Sequence, residues 1–415
     1  MNSKLKNHSF ISQVFMLILG LINLKIIIEI FGIEQYGVIN LYLSILLLFN
    51  SIFGFRVWES GIFALNQSIK ENGNPRAIFY YFFKLELIVN IVLALLFLII
   101  LYGYNSIYEN QYDIYILSLL LIVNISKDLS SQILVTLDDL KPYYYIRIIQ
   151  PLMLLIFIIS LTFYSNDLLV NDYFMMYILS IFSMTLVSFY YAYSKKLKNY
   201  KSENYKPSFN VLAFNKTSYL SSTARSFWER TDYLWINFLG TTEILGIYAL
   251  AKKLVDYISL VVFTYWNSIK PSFTKNFDSL KGLDLILKYQ KNILLLFVLI
   301  VLIVVTFNEI VVDFFNITNT KYFFIMLGTL IIVNLFWSFV IMSRYVITLF
   351  DKMEYSLNLN LILAFLLNGS ILTMYYLLDF KNFEIVLISQ SLVALFAYFF
   401  WMKKINYIYK GLSVK

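Results

Sequence analysis

The side chains able to do chemistry in this chain are charged groups set inside long apolar runs. Lys25 and Glu29 stand four apart in the first run, and Arg56 and Glu59 three apart in the second. The stretch Asn215–Tyr257 then carries Arg225, Glu229, Arg230, Asp232, Lys252, Lys253 and Asp256. At helical spacing Arg225, Glu229 and Asp232 share one face with Arg230 to its side, and Lys252 and Lys253 lie one turn from Asp256. A charge at the bilayer centre costs at least about 2.5–3.5 kcal/mol, so such a set must pair internally or face a wet cavity. The basic members can hold an anion, arginine through a planar fork that fits phosphate bidentately. The acidic members Glu229, Asp232, Asp256 and Glu59 can carry a proton or help bind Na⁺, with Asp232 and Glu229 the first candidates.

Other chemistries have no signature. Without cysteine there is no disulfide, thiolate metal site or cysteine nucleophile, and the single histidine, His8, precedes the first apolar run. No Gly-rich nucleotide loop, HExxH or metal-ligand cluster is present, so neither a cofactor nor ATP-driven transport by this chain alone is expected.

The elements that must position these charges are membrane spans. The 415 residues are 60% hydrophobic and 14% charged, with a mean hydropathy of +0.71, far from a soluble composition. Apolar runs of about 20 residues suit about 30 Å of hydrocarbon. They predict twelve helices near 10–30, 38–62, 79–102, 113–134, 143–164, 172–193, 215–238, 245–266, 289–307, 322–343, 357–378 and 383–402. The first follows a short basic segment, is too long for a signal peptide and lacks a small-x-small cleavage site, so it reads as a retained span. With the N-terminus inside, 21 of the 33 lysines and arginines fall in cytoplasmic segments and only Lys321 and Lys381 in outer ones. One miscounted helix would invert every later loop, so the bias supports twelve spans with both ends cytoplasmic. The net charge of +8 is largely this bias and no nucleic-acid signal. The outer loops are short, the longest near Asn308–Lys321, which leaves no room for a soluble catalytic domain.

Further polar residues have plainer readings. Lys84, Glu86 and Arg147 are expected to snorkel to the interface, while Lys127 and Asp128 stay open. Trp228, Trp235 and Trp266 are of the type that stacks on a sugar ring, though membrane tryptophans more often pack helices. Pro151 is expected to kink the fifth span, and Asn23, Asn50, Asn90 and Asn124 to bond between helices.

The chain also repeats itself. FGIEQYGVINL (Phe31–Leu41) and LGTTEILGIYAL (Leu239–Leu250) both run apolar-Gly, Glu, Gly, then helix, aligning Gly32 and Gly37 with Gly240 and Gly246. Six spans separate the copies, so the halves share one orientation, as in transporters whose substrate site lies between two lobes. The division expected is a six-helix lobe over 1–208, a second over 209–402 and a basic cytoplasmic tail over 403–415.

FGIEQYGVINLYLS after the first span and TDYLWINFLGTTEILGIYALAKKL in the seventh and eighth resemble the polysaccharide repeat-unit flippases. These O-antigen, Wzx-like proteins belong to the multidrug/oligosaccharidyl-lipid/polysaccharide (MOP) superfamily. The resemblance implies an all-α polytopic membrane protein, about twelve spans in two parallel-repeat six-helix lobes of the MATE-like kind. It further implies a V-shaped bundle in a bacterial inner membrane. This bundle would move undecaprenyl-diphosphate-linked oligosaccharide to the outer leaflet by alternating access, working among membrane lipid and other polysaccharide assembly proteins. Carried onto this sequence, the anionic headgroup falls to Lys25, Arg56, Arg225, Arg230, Lys252 and Lys253. The acids Glu29, Glu59, Asp128, Glu229, Asp232 and Asp256 nearly balance those bases, which leaves the sign of the cavity to the pairing. A drug or cation exporter of the same superfamily is the nearest alternative, and a membrane polysaccharide polymerase or ligase a more distant one.

Overall fold

A computed structural model describes residues 3–55, 57–70, 73–108, 114–123, 134, 140–163, 168–198, 216–276, 280–349 and 353–413. These residues form thirteen α-helices and no strand. They are α1 (Ser3–Phe53), α2 (Val57–Lys70), α3 (Pro75–Tyr108), α4 (Ile114–Val123), α5 (Leu140–Thr162) and α6 (Val170–Tyr190). After these come α7 (Lys216–Leu239), α8 (Thr242–Asn276), α9 (Leu280–Thr306) and α10 (Asn308–Phe315). The last three are α11 (Thr320–Leu349), α12 (Met353–Leu377) and α13 (Glu384–Ser413). In lipid every backbone polar group must be satisfied within its own segment, which is why the described residues of so apolar a chain are mainly helical.

Among the described residues eight helical segments are long and apolar enough to cross a membrane, one of them Phe10–Phe53 with 44 residues. At 1.5 Å per residue that segment is long enough for about two crossings. It is divided at Gly32, whose φ of 78° and ψ of 163° suit a residue without Cβ. Helices α7 and α8 have the length of spans, 24 and 35 residues, and are kept out of the apolar set by their charges. The fourth expected span is described only as α4, and Lys127, Asp128 and Asn124 lie outside the described residues. The outer segment expected as a loop at Asn308–Lys321 contains α10, closed by Asn316 in the left-handed conformation.

The chain divides into two compact units, one of residues 1–31 and 46–219, the other of 32–45 and 220–415. The expected lobe boundary at 208/209 lies outside the described residues. In the first unit α1 is tied to α5 by polar contacts. Ser12 donates to the Tyr144 carbonyl and Asn23 to that of Pro151, each at 2.8 Å, and His8 meets the Tyr145 hydroxyl at 2.9 Å. Asn23 thus makes the interhelical bond expected of it, while α5 runs on through Pro151 from Leu140 to Thr162. Lys84 sits over the Tyr80 ring and Arg147 over that of Tyr143. Glu86, expected at the interface, is instead buried within this unit.

In the second unit α11 packs against α8 and α13, and α12 against α13. The two repeat-related glycines meet here. A Cβ on Gly37 would stand 2.5 Å from the Gly246 backbone nitrogen, and one on Gly246 would overlap the Ile33 carbonyl oxygen. Only glycine at both positions permits this backbone-on-backbone crossing. It fixes the start of α8, whose Tyr248–Ala251 turn is fully buried. The residues just before this start are capped locally, because the Thr241 hydroxyl accepts the Ile244 N–H at 3.3 Å.

Candidate functional site

Placing charged residues every turn along α7 gives that helix one polar face, and the buried start of α8 sets a second polar face against it. On α7 these residues are Arg225, Glu229, Arg230 and Asp232, and on α8 Lys252, Asp256 and Ser259. With Asn334 and Trp337 of α11, Asn360 of α12 and Gln390 of α13, they line a cavity of about 410 Å³. That is the size of a small-molecule site, about 300–1,000 Å³. All its walls belong to the second unit. Leu330, Val333, Val340, Leu359, Leu363 and Val393 supply its apolar part.

Among the described residues three bases and three acids line the cavity, and their pairing governs how they act. Arg225 holds Glu229 at 2.5 Å, one turn on along the same helix. Lys252 reaches across from α8 to the buried carboxylate of Asp232 on α7. It also donates to the Glu229 carbonyl at 3.2 Å and stands 4.5 Å from the centre of the Tyr233 ring. Asp232 is fully engaged, taking the Tyr248 hydroxyl, the Gln390 amide at 2.8 Å and the Tyr233 N–H at 2.8 Å. Such a buried pair persists because its remaining hydrogen-bonding capacity is met from several helices. Arg230 and Asp256 remain, opposite in charge; neither is in a close ion pair among the described residues, and Asp256 lies in the field of Lys253, Lys252 and Arg230.

Of the six bases expected at an anionic headgroup, three thus have internal acidic partners: Arg225, Lys252 and Lys25, whose ammonium meets Glu29 at 2.7 Å in the first unit. Lys253 projects over Tyr257 and does not line the cavity. Arg230 lines it in no close ion pair among the described residues, though in the field of Asp256, and Arg56 lies outside the described residues. Glu59 is half-buried on α2.

The tryptophans separate in the same way. Trp235 donates to Asn368 at 2.8 Å and Trp266 is buried against Phe273 and Tyr289, so both pack helices. Trp228 lines the cavity and stacks on Trp337 with ring centres 4.3 Å apart and planes at 14°. Sequence reasoning missed Trp337, Asn334, Asn360 and Gln390. Their only signal is a polar or indole group in an otherwise apolar helix, which is equally the signal of ordinary helix packing.

Residues 5–277 match the family described as polysaccharide biosynthesis protein. No curated protein gives a significant match. A multidrug resistance MATE family transporter of the MOP superfamily, solved in an inward-facing conformation, aligns with a TM-score of 0.75 at 12% identity, covering 98% of this chain and 99% of that one. An outward-facing structure of such a transporter gives 0.67 at 11%, covering 97% and 95%. A MATE structure in the straight conformation gives 0.66 at 14%, covering 98% and 96%. At these identities the likeness shows the fold: an all-α polytopic membrane protein with the MATE-like architecture of two six-helix lobes.

Proposed function

We propose, from the premise that this chain belongs to the polysaccharide biosynthesis protein family, that it is a flippase for lipid-linked oligosaccharide. The transported molecule is a glycan on a polyprenyl diphosphate, of the undecaprenyl kind in a bacterial inner membrane, moved from cytoplasmic to outer leaflet by alternating access. The observation that carries this reading is the match over residues 5–277 to a family described by polysaccharide biosynthesis. The lysine and arginine bias supports a cytoplasmic position for both termini, where polysaccharide assembly proteins would meet the chain.

Within the described residues the headgroup role ranks Arg230 first among Lys25, Arg56, Arg225, Arg230, Lys252 and Lys253, because its guanidinium is not already neutralised. Coupling to a proton or sodium gradient falls to Asp256 before Glu229, Asp232 and Glu59, since the first is in no close ion pair among the described residues and the next two are held by Arg225 and Lys252. The same unpaired Asp256 favours the second reading, an exporter of organic cations, to which an anionic group would be the natural lure.

The test is made in cells lacking the protein, by extracting lipid-linked glycans and locating them by leaflet. Single repeat units trapped on the cytoplasmic face, cleared by the wild-type gene and not by Arg230→Ala at equal expression, are expected. Absence of any trapped unit, with loss of cationic dye efflux, would replace the flippase by the exporter. Units stranded unpolymerised on the outer face would make the protein act after translocation.

A further inference from the structure

Helix α10 does not line the cavity. It occupies the connection between two apolar spans, Gly282–Thr306 and Thr320–Ile341. At 1.5 Å per residue it is about 12 Å long, far too short to cross about 30 Å of hydrocarbon. Its residues nonetheless sort into three faces. Phe307, just before its start, Ile310 and Phe314 recur at helical spacing and are 48%, 62% and 46% exposed. Glu309 and Asp313, one turn apart, are exposed on the opposite side. Phe315 is buried, as is Ile317 after the left-handed turn at Asn316, and these two pin the helix to the body of the second unit.

Two phenylalanines and an isoleucine held out together gain by leaving water. The adjoining span shows what covers them. On α9 Leu295, Val298, Leu299, Leu302 and Val305 are all more than half exposed, as side chains facing hydrocarbon are in a span of this length. The α10 stripe continues that lipid-facing surface past the end of α9. An amphipathic helix with an apolar stripe and a charged opposite face lies in the plane of the membrane surface, its apolar side about 5–10 Å into the boundary.

We infer that α10 is an in-plane membrane helix, and that its partner is the acyl-chain edge of one leaflet. Phe307, Ile310 and Phe314 dip into that edge, while Glu309 and Asp313 face water. The lysine and arginine bias favours the outer leaflet. An anchored α10 also sets the depth of the cavity. Counted along α11 from Thr320, Leu330 lies about 15 Å and Trp337 about 26 Å inward. This wall of the cavity therefore runs from the middle of the hydrocarbon toward its far side. None of this depends on what is transported.

The chain has no cysteine, so single cysteines carry a spin label without background. The test uses full-length protein in phosphatidylcholine nanodiscs, one molecule per disc. Labels on Ile310→Cys, Phe314→Cys, Glu309→Cys and Asp313→Cys are compared with two references. Val298→Cys lies in the lipid-facing run of α9, and Lys381→Cys in the exposed segment before α13. Collision with oxygen, which concentrates in the bilayer, is measured against collision with a water-soluble nickel chelate. Labels at Ile310 and Phe314 should favour oxygen severalfold more than the label at Lys381, and should read shallower than the label at Val298. Labels at Glu309 and Asp313 should match Lys381. Should either stripe variant fail to fold, Phe307→Cys reads the same stripe. Labels at Ile310 and Phe314 that meet the chelate as freely as Lys381 would put the stripe in water and overturn the inference. Exclusion from both reagents would mean that protein covers the stripe, and overturns it equally. Equal accessibility at all four positions would remove the membrane-facing side altogether.

Discussion

The Lys25–Glu29 pair of α1 and the Lys252–Asp232 pair of α8 and α7 set the same charge types inside membrane helices, yet they are different objects. The first is a one-turn pair on a single helix, with Glu29 48% exposed. The second joins two helices, its aspartate only 1% exposed, and reaches a third helix through Gln390. A pair of the first kind forms wherever the helix forms. A pair of the second kind exists only when three helices have docked, so it reports and helps fix the tertiary arrangement of the second unit. The spacing of charges along a sequence shows the first and is silent about the second.

The difference can be broken by mutation, beginning with the largest effect. Asp232→Ala leaves the Lys252 ammonium buried without its carboxylate, and thermal or denaturant unfolding in detergent should register a loss of about 3–5 kcal/mol. The double change Asp232→Asn with Lys252→Met removes both charges and should recover most of that loss. If the single change costs no more than the double, the pair does not couple α7 to α8. Next in size is the glycine crossing. Gly246→Ala drives a methyl into the Ile33 carbonyl and should cost about 1–3 kcal/mol. Gly369→Ala on α12 meets open space and should stabilise by up to about 1 kcal/mol. Equal tolerance at both sites would contradict the crossing. The smallest effect belongs to Glu29→Gln, which gives up a one-turn pair worth about 0.3–0.5 kcal/mol. A loss of several kcal/mol there would mean that the α1 pair is as tertiary as the α7–α8 pair.

Much of the fold was legible because membrane spans are written in one dimension. Twelve apolar or charged segments of span length were recognisable, and α1, α3, α5–α9 and α11–α13 occupy eleven of the twelve expected ranges, α1 extending into the second. The Gly37/Gly246 correspondence was visible as a repeat, but that the two glycines touch required two distant helices to cross. The acidic and basic residues of α7 and α8 were also legible, because charge in an apolar run stands out. Which charge neutralises which was not. Arg225 could be paired with Glu229 by spacing alone, whereas Lys252 and Asp232 are twenty residues apart and find each other through the α7–α8 turn. Trp337 and Gln390 lay hidden because one indole or amide in an apolar helix looks like ordinary packing until a cavity opens beside it.

The most direct measurement is translocation by the purified protein in sealed vesicles. A fluorescent polyprenyl-diphosphate disaccharide is placed in both leaflets, and the fraction reachable by a membrane-impermeant glycosidase is followed in time. The wild-type protein should make the inner-leaflet pool accessible well above the rate of empty vesicles, and Arg230→Ala should return it to that background. No acceleration by well-folded wild-type protein, in vesicles where it does move a cationic dye, would contradict the flippase and leave the exporter in its place.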